Sequence, residues 1–172
     1  MPNKTIQESN MEFSFPEVDL FQIEKCSTYK SLGSRVKMIE MICRKGNQLF
    51  FIEAKSSSPK PGDEVKFPEF ISEICEKFTN SILLYSGMQL NRPYTTIETL
   101  PNNLSLLGTS NSIPINLTLI INGHEKEWLI PIHDKLNIAL LALKKTFAIK
   151  NIKVINHETA LRHKLIQRVI TN

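Results

Sequence analysis

Two apolar strands with charges set into them constrain this chain more than any other feature. VKMIEMIC (36–43) and QLFFIEAK (48–55) flank Arg44-Lys45-Gly46-Asn47, and Gly-Asn between alternating apolar runs is a hairpin signal. With Gly46-Asn47 as the central turn residues, Glu40 lies directly opposite Glu53; with Lys45-Gly46 in that role, it lies diagonally. In both registers the period of two puts Glu40, Glu53 and Lys55 on one face. A three-residue loop would turn Glu40 to the other face. That other face, with Ile39, Met41, Cys43, Phe50, Ile52 and Ala54, belongs in a core. On the charged face Met38, Ile42, Leu49 and Phe51 surround two carboxylates and an ammonium. Such groups are costly among apolar neighbours unless they are paired or bind a cation. A divalent ion relieves the repulsion between the two acids, and oxygen ligands suit Mg²⁺ or Mn²⁺.

The rest of the chain reads as one α/β domain over residues 1–172 with a mixed central sheet. Residues 1–14 read as loose or as a short helix, and VDLFQIEKC (18–26) as a strand, with a helix as the alternative. After the Ser/Pro/Gly break at 56–66, Pro68 opens a long helix and Gly87 stops it. Phe67, Phe70, Ile71, Ile74, Cys75, Phe78, Ile82 and Tyr85 form its apolar stripe. Glu73, Glu76 and Lys77 read as a solvated face, with Glu73 pointing back at the site as the alternative, since crossover helices pack over the sheet. The polar stretch 91–113 is a loop over a site or an accessory insertion. INLTLIING and EKEWLIPI then suggest a second hairpin across Gly123-His124, with Trp128 in the core. Asp134 caps a helix bearing Leu136, Leu140, Leu143 and Phe147. NIKVI (151–155) is a short strand, and Asn156 caps a final basic helix carrying Leu161, Leu165 and Val169.

Several function classes find no support. No apolar run approaches the roughly 20 residues that span a bilayer, and the first residues lack a secretory signal. Cys26, Cys43 and Cys75 are scattered without zinc spacing, so they read as small buried hydrophobes of a cytoplasmic protein. There is no GxxxxGK[ST] or GxGxxG, and His133 and His163 lack Ser or Cys partners at a recognisable spacing. The net charge of +4 is uneven. From 140 to 172, Lys144, Lys145, Lys150, Lys153, Arg162, Lys164 and Arg168 face Glu158 alone, a balance of +6, which leaves −2 for the rest. A basic end on a near-neutral body suits a polyanion, although a solvated helix face reads the same way.

Glu40, a hairpin, then Glu53-Ala54-Lys55 and a long helix together resemble the PD-(D/E)xK nuclease superfamily, over about 18–121. The resemblance implies a restriction-endonuclease-like α/β fold, a mixed central sheet with flanking helices. It also implies a metal-dependent phosphodiesterase, a nuclease acting on DNA or RNA. Glu40, Glu53 and the Ala54 carbonyl would hold Mg²⁺, with Mn²⁺ substituting. Lys55 would orient or deprotonate the attacking water and offset charge at the scissile phosphate. Glu24 is the candidate for the upstream acid that many such families add, with Glu17 behind it. Glu40 stands where the usual residue is Asp, and Ile39 where the name-giving Pro would be. Nucleic acid is the implied partner, through Lys144, Lys145, Arg162, Lys164 and Arg168, with a homodimer or a protein partner in a larger complex also in keeping. The alternative is an inactive nuclease-like module serving as a nucleic-acid- or protein-binding subunit. The plainest reading of all is a surface hairpin with an ion pair of little energetic worth.

Overall fold

The computed structural model describes residues 2–33, 35–92, 98–105 and 113–170. Along the chain run β1 (Asn3–Glu8), β2 (Met11–Pro16), β3 (Leu20–Phe21), α1 (Ser27–Ser31), β4 (Met41–Lys45), β5 (Gln48–Lys55) and α2 (Lys66–Gln89). β6 (Ile115–Ile121), α3 (Lys126–Ala139), α4 (Leu141–Thr146), β7 (Asn151–Asn156), α5 (His157–Arg162) and β8 (Arg168–Val169) complete it. The fold is α/β. A mixed five-stranded sheet has the order β3-β4-β5-β6-β7, and β1-β2-β8 make a second, smaller sheet. β3, β4 and β5 pair antiparallel, whereas β5, β6 and β7 run parallel.

The β4–β5 hairpin turns on Gly46-Asn47, since Lys45 pairs with Gln48. Gly46 has φ 58°, the left-handed backbone that a glycine at the first central position of such a turn supplies at no steric cost. Met41 pairs with Ile52, so the next pair outward is Glu40 opposite Glu53. Both faces of this hairpin are covered. Ile42, Leu49 and Phe51 pack among Ile74, Phe78 and Ile82 of α2 and Leu129, Ile132 and Leu136 of α3. Met41, Cys43, Ile52 and Ala54 pack instead against Ile6, Met11 and Phe13 of the small sheet and against Ala160 and Leu165. One sheet therefore separates two cores, a helical layer on one side and a second sheet with α5 on the other.

The first residues are neither loose nor helical: they form the β1–β2 hairpin, whose Met11, Phe13 and Phe15 are buried. Its turn residues Ser9 (φ 51°) and Asn10 (φ 58°) both adopt left-handed backbone, the geometry that matches strand twist in a two-residue turn. The 18–26 segment is broken into a two-residue strand between 3-10 turns at Glu17–Asp19 and Ile23–Lys25. α2 buries Phe67, Ile71, Ile74, Phe78, Ile82 and Tyr85 as its stripe predicts. It runs past Gly87, and Asn91 (φ 48°) ends it: Arg92 N–H donates to the Gly87 carbonyl and Asn91 N–H to that of Met88, the Schellman pattern.

The second hairpin does not form. β6 runs parallel to β7, and parallel neighbours require a crossover, which a helix provides. EKEWLIPI accordingly opens α3, where Leu129, Ile132 and Leu136 are buried at helical spacing. Its alternation of Trp128, Ile130 and Ile132 imitates a strand, but Trp128 and Ile130 are exposed rather than core. Asp134 lies inside α3 and caps nothing. Asn156 does cap α5, accepting from Thr159 N–H. The chain then leaves the helix at His163 and returns as β8 against β2, with Leu165 buried and Arg168 paired to Glu12 in register. Of the 91–113 connection, residues 93–97 and 106–112 lie outside the described residues. Within it, Leu104 is buried and its carbonyl accepts from Tyr85 Oη (2.7 Å) and Gln89 Nε2 (2.8 Å). Among the described residues no helix is long and apolar enough to cross a membrane.

Candidate active site

The hairpin brings Glu40 and Glu53 together on the face that α2 covers. Both are buried, Glu53 completely. Its Oε2 has no hydrogen-bond partner among the described residues, and a buried polar atom left in that state costs roughly 1–3 kcal/mol or more if charged. Oε1 is crowded instead: Lys77 Nζ stands at 2.7 Å and Lys55 Nζ at 3.4 Å. Lys55 also donates to Glu73 Oε1 at 2.8 Å, so Glu73 does turn back to the sheet. Lys77 reaches Glu40 as well, at 3.7 Å. Its placement on a solvated face is therefore wrong. It flanks the buried stripe one turn beyond Glu73, and the third turn of α2 carries it over β5. The signal was there: two buried carboxylates need more cation than Lys55 supplies, and the covering helix is where it can come from.

Two further acids, distant in the chain, meet Glu40. One carboxylate oxygen each from Glu8, Glu24 and Glu40 lies within 4.8 Å of the others. Glu24 rides on the 3-10 turn that the fully buried Ile23 anchors, so the upstream acid falls beside Glu40. Glu17 is not in the cluster. Glu8, which the sequence reading missed, ends β1 at a pinned turn. Ser9 Oγ donates to the Ala54 carbonyl (3.0 Å), and Asn122 Nδ2 donates to the Ser9 carbonyl (3.2 Å). The Ala54 carbonyl, a proposed ligand, thus carries a hydroxyl bond from the residue after Glu8.

The charges follow from this crowding. Burial, then the hydrogen bond to Glu24 and the charges of Glu53, Glu24 and Glu8, push the Glu40 carboxyl up to about 9. Burial raises Glu53 too, against the pull of Lys77 and Lys55. Burial alone would lower Lys55, but Glu73 and Glu53 outweigh it and hold the ammonium above its ordinary range. The same bond to Lys55 lowers Glu73. Five carboxyl groups, of which Glu40 holds its proton up to about pH 9, thus face two ammonium groups. The excess of negative charge is what a divalent cation neutralises, and an all-oxygen donor set suits a hard one. Comparison of the chain with protein-family models, curated proteins and solved structures gave no match.

A cleft of about 720 Å³ opens beside Lys55, lined by Lys37, Lys66, Glu69, Glu73, Ser57 and Ser58 among others. The basic residues 144–168 do not border it. Lys144 and Lys145 sit on α4, which leads into the start of β7. There Asn151 pairs with Asn116, itself beside Phe50, at the end of the sheet away from Lys55. Arg162 donates to Thr159 Oγ1 (3.0 Å) and Arg168 to Glu12 Oε2 (2.8 Å). Lys164 lies on the turn after α5, where its carbonyl accepts from Lys45 Nζ (3.1 Å). These five are dispersed, and none of them shares the acidic centre.

Proposed function

We propose that this chain is a metal-dependent phosphodiesterase with a restriction-endonuclease-like core, a nuclease acting on DNA or RNA. The observation that carries the reading is the convergence of Glu8, Glu24 and Glu40 within 4.8 Å, next to a buried Glu53 with one oxygen that has no partner among the described residues. Those three acids would hold Mg²⁺ or Mn²⁺, with Glu53 and the Ala54 carbonyl beside them. A cation bound there supplies Lewis acidity toward water and toward a phosphoryl oxygen. Lys55 and Lys77 provide the fixed positive charge. Glu73 orients Lys55 and keeps it protonated, so Lys55 stabilises charge building on the scissile phosphate and does not serve as the base. Lys77 opposes the rise that burial imposes on Glu53 and aims its carboxyl. The cleft beside Lys55 takes the polynucleotide, and Lys37 and Lys66 on its walls contact phosphates, which position a strand without reading its sequence.

One observation favours a second reading. Lys77 Nζ stands between Glu53 and Glu40, so an ammonium already occupies the space between the two hairpin acids. With the pair neutralised in this way, the chain would be an inactive nuclease-like subunit that binds nucleic acid or a protein.

Mn²⁺ titration by calorimetry separates the two. The first reading expects saturable binding that releases close to one proton at pH 8, because Glu40 keeps its proton to about pH 9. Affinity then rises about tenfold per pH unit below that value. Without metal, the folded chain holds this proton between 4.5 and about 9 while the unfolded chain does not, so stability falls as pH rises through that window. Glu40→Gln abolishes both the metal heat and that stability slope. A wild-type titration without heat, in two buffers of different ionisation enthalpy, decides for the second reading.

A further inference from the structure

Trp128 is the only tryptophan of the chain, and it is 52% exposed. The fold does not require this. Leu129, Ile132 and Leu136 make the core contacts of α3, while an indole is among the largest apolar surfaces a protein can bury. Its position is informative. Asn122, just beyond β6, donates its N–H to the Lys55 carbonyl (2.8 Å), so the segment leading to Trp128 leaves the sheet beside Lys55. His124 is fixed at both ends: Ser58 Oγ lies 2.7 Å from its Nε2, and Asn156 Nδ2 donates to its carbonyl (3.0 Å). Asn156 is itself buried and caps α5. The His124 ring meets Trp128 edge to face, with centroids 5.7 Å apart at 84°. Such a contact covers at most one face of the indole. Ser58, which holds His124, lines the cleft that also contains Glu73, the partner of Lys55.

A positioned aromatic pair therefore stands at the margin of a cleft whose walls carry Lys37 and Lys66 together with Glu69, Glu73 and Glu76, and Glu73 ties that cleft to Lys55. Exposed aromatic faces beside cationic groups bind bases by stacking while the cations follow the backbone. In a duplex those base faces are already covered by neighbouring bases, so a stacking platform selects unpaired nucleotides. We propose that Trp128, positioned by His124, is a base-stacking platform, and that the substrate is single-stranded or locally unpaired nucleic acid entering through this cleft. The inference rests on the phosphodiesterase reading, which is what calls for a polynucleotide there.

The test uses the full chain in EDTA, where no cleavage occurs. Single-stranded DNA and RNA of roughly 20 nucleotides, and a blunt duplex of the same length, are titrated at physiological salt. Tryptophan emission and the anisotropy of end-labelled strands are both followed. Single strands are expected to quench at least half of the emission, saturably, and the duplex to quench far less. Trp128→Ala should weaken single-strand binding about tenfold, in line with roughly 1–3 kcal/mol per stacked base. Trp128→Phe should recover most of that loss. Single-strand binding with unchanged emission, unchanged affinity in Trp128→Ala, or equal quenching by the duplex would each overturn the platform. If the platform fails while metal-dependent, Lys55-dependent cleavage persists, only this inference falls. If no strand binds and nothing is cleaved, the phosphodiesterase reading falls with it, and the exposed indole is left as a contact for a protein.

Discussion

Lys55→Ala is expected to slow metal-dependent cleavage of nucleic acid about 10³-fold while Mn²⁺ binding persists. The size follows from what the ammonium does. It is held at 2.8 Å by Glu73 and lies 3.4 Å from Glu53, so it is fixed before substrate arrives. Removing one preorganised charge-stabilising group costs roughly 10²–10³ in rate, and a positioned proton donor up to about 10⁴. Its side chain is partly open to solvent, and Lys77 stays on Glu53 in the variant, so the melting temperature should move by only a few degrees. The split between rate and stability is the diagnostic feature. A purely structural ion pair predicts the reverse, a modest loss of stability and no change in rate. Gel-based cleavage with Mg²⁺, alongside thermal melts of both proteins, reads the two quantities. Equal cleavage by wild type and variant would remove Lys55 from the mechanism.

The second large effect concerns stability. Lys77→Met should destabilise the metal-free protein by about 3–5 kcal/mol at pH 8, the usual cost of removing one partner from a buried pair. That corresponds to roughly 2–4 °C in melting temperature per kcal/mol for a chain of this size. Glu53 is fully buried, Lys77 is its nearest cation among the described residues at 2.7 Å, and its second carboxyl oxygen has no partner among them. Without Lys77 the folded-state value of Glu53 rises further above its unfolded one. The folded variant then binds a proton that the unfolded chain releases, so its stability falls as pH rises. The deficit relative to wild type should therefore shrink toward pH 5. Lys77→Met combined with Glu53→Gln should recover much of the loss, because no buried charge is left unpaired. Chemical denaturation of the three proteins at pH 5 and pH 8 measures all of this. A deficit that does not depend on pH would mean that Lys77 acts through packing.

How much of this was legible in the sequence depended on whether the information was local. The β4–β5 hairpin was, because Gly46-Asn47 sits between two alternating runs; its register was not, and the pairing of Lys45 with Gln48 is what sets Glu40 opposite Glu53. The buried stripe of α2 was legible for the same reason: period 3.6 over six turns leaves little ambiguity. The second hairpin failed because Trp128, Ile130 and Ile132 alternate like a strand, while Leu129, Ile132 and Leu136 repeat like a helix. Only the parallel pairing of β6 with β7, a long-range fact, decides between them. Residues 3–16 were hidden by polar side chains on the outer face, and their turn is Ser9-Asn10 with no glycine to mark it. That loss concealed Glu8, and with it the third acid of the cluster. Lys77 was hidden differently. Beside a run of charged residues it reads as surface, and only the passage of α2 over Glu53 turns it inward. The dispersal of Lys144, Lys145, Arg162, Lys164 and Arg168 was invisible too, since a net charge along a segment does not say which way the elements carrying it face.

The most direct measurement is anomalous-scattering crystallography on crystals soaked in Mn²⁺ at pH 8. The phosphodiesterase account predicts an anomalous peak within ligand distance, about 2–2.6 Å, of carboxylate oxygens of Glu24 and Glu40, with Glu8 or Glu53 completing the set and Lys55 alongside. The absence of any peak at the acidic cluster, with Lys77 still bridging Glu53 and Glu40, would contradict that account and leave a binding subunit in its place.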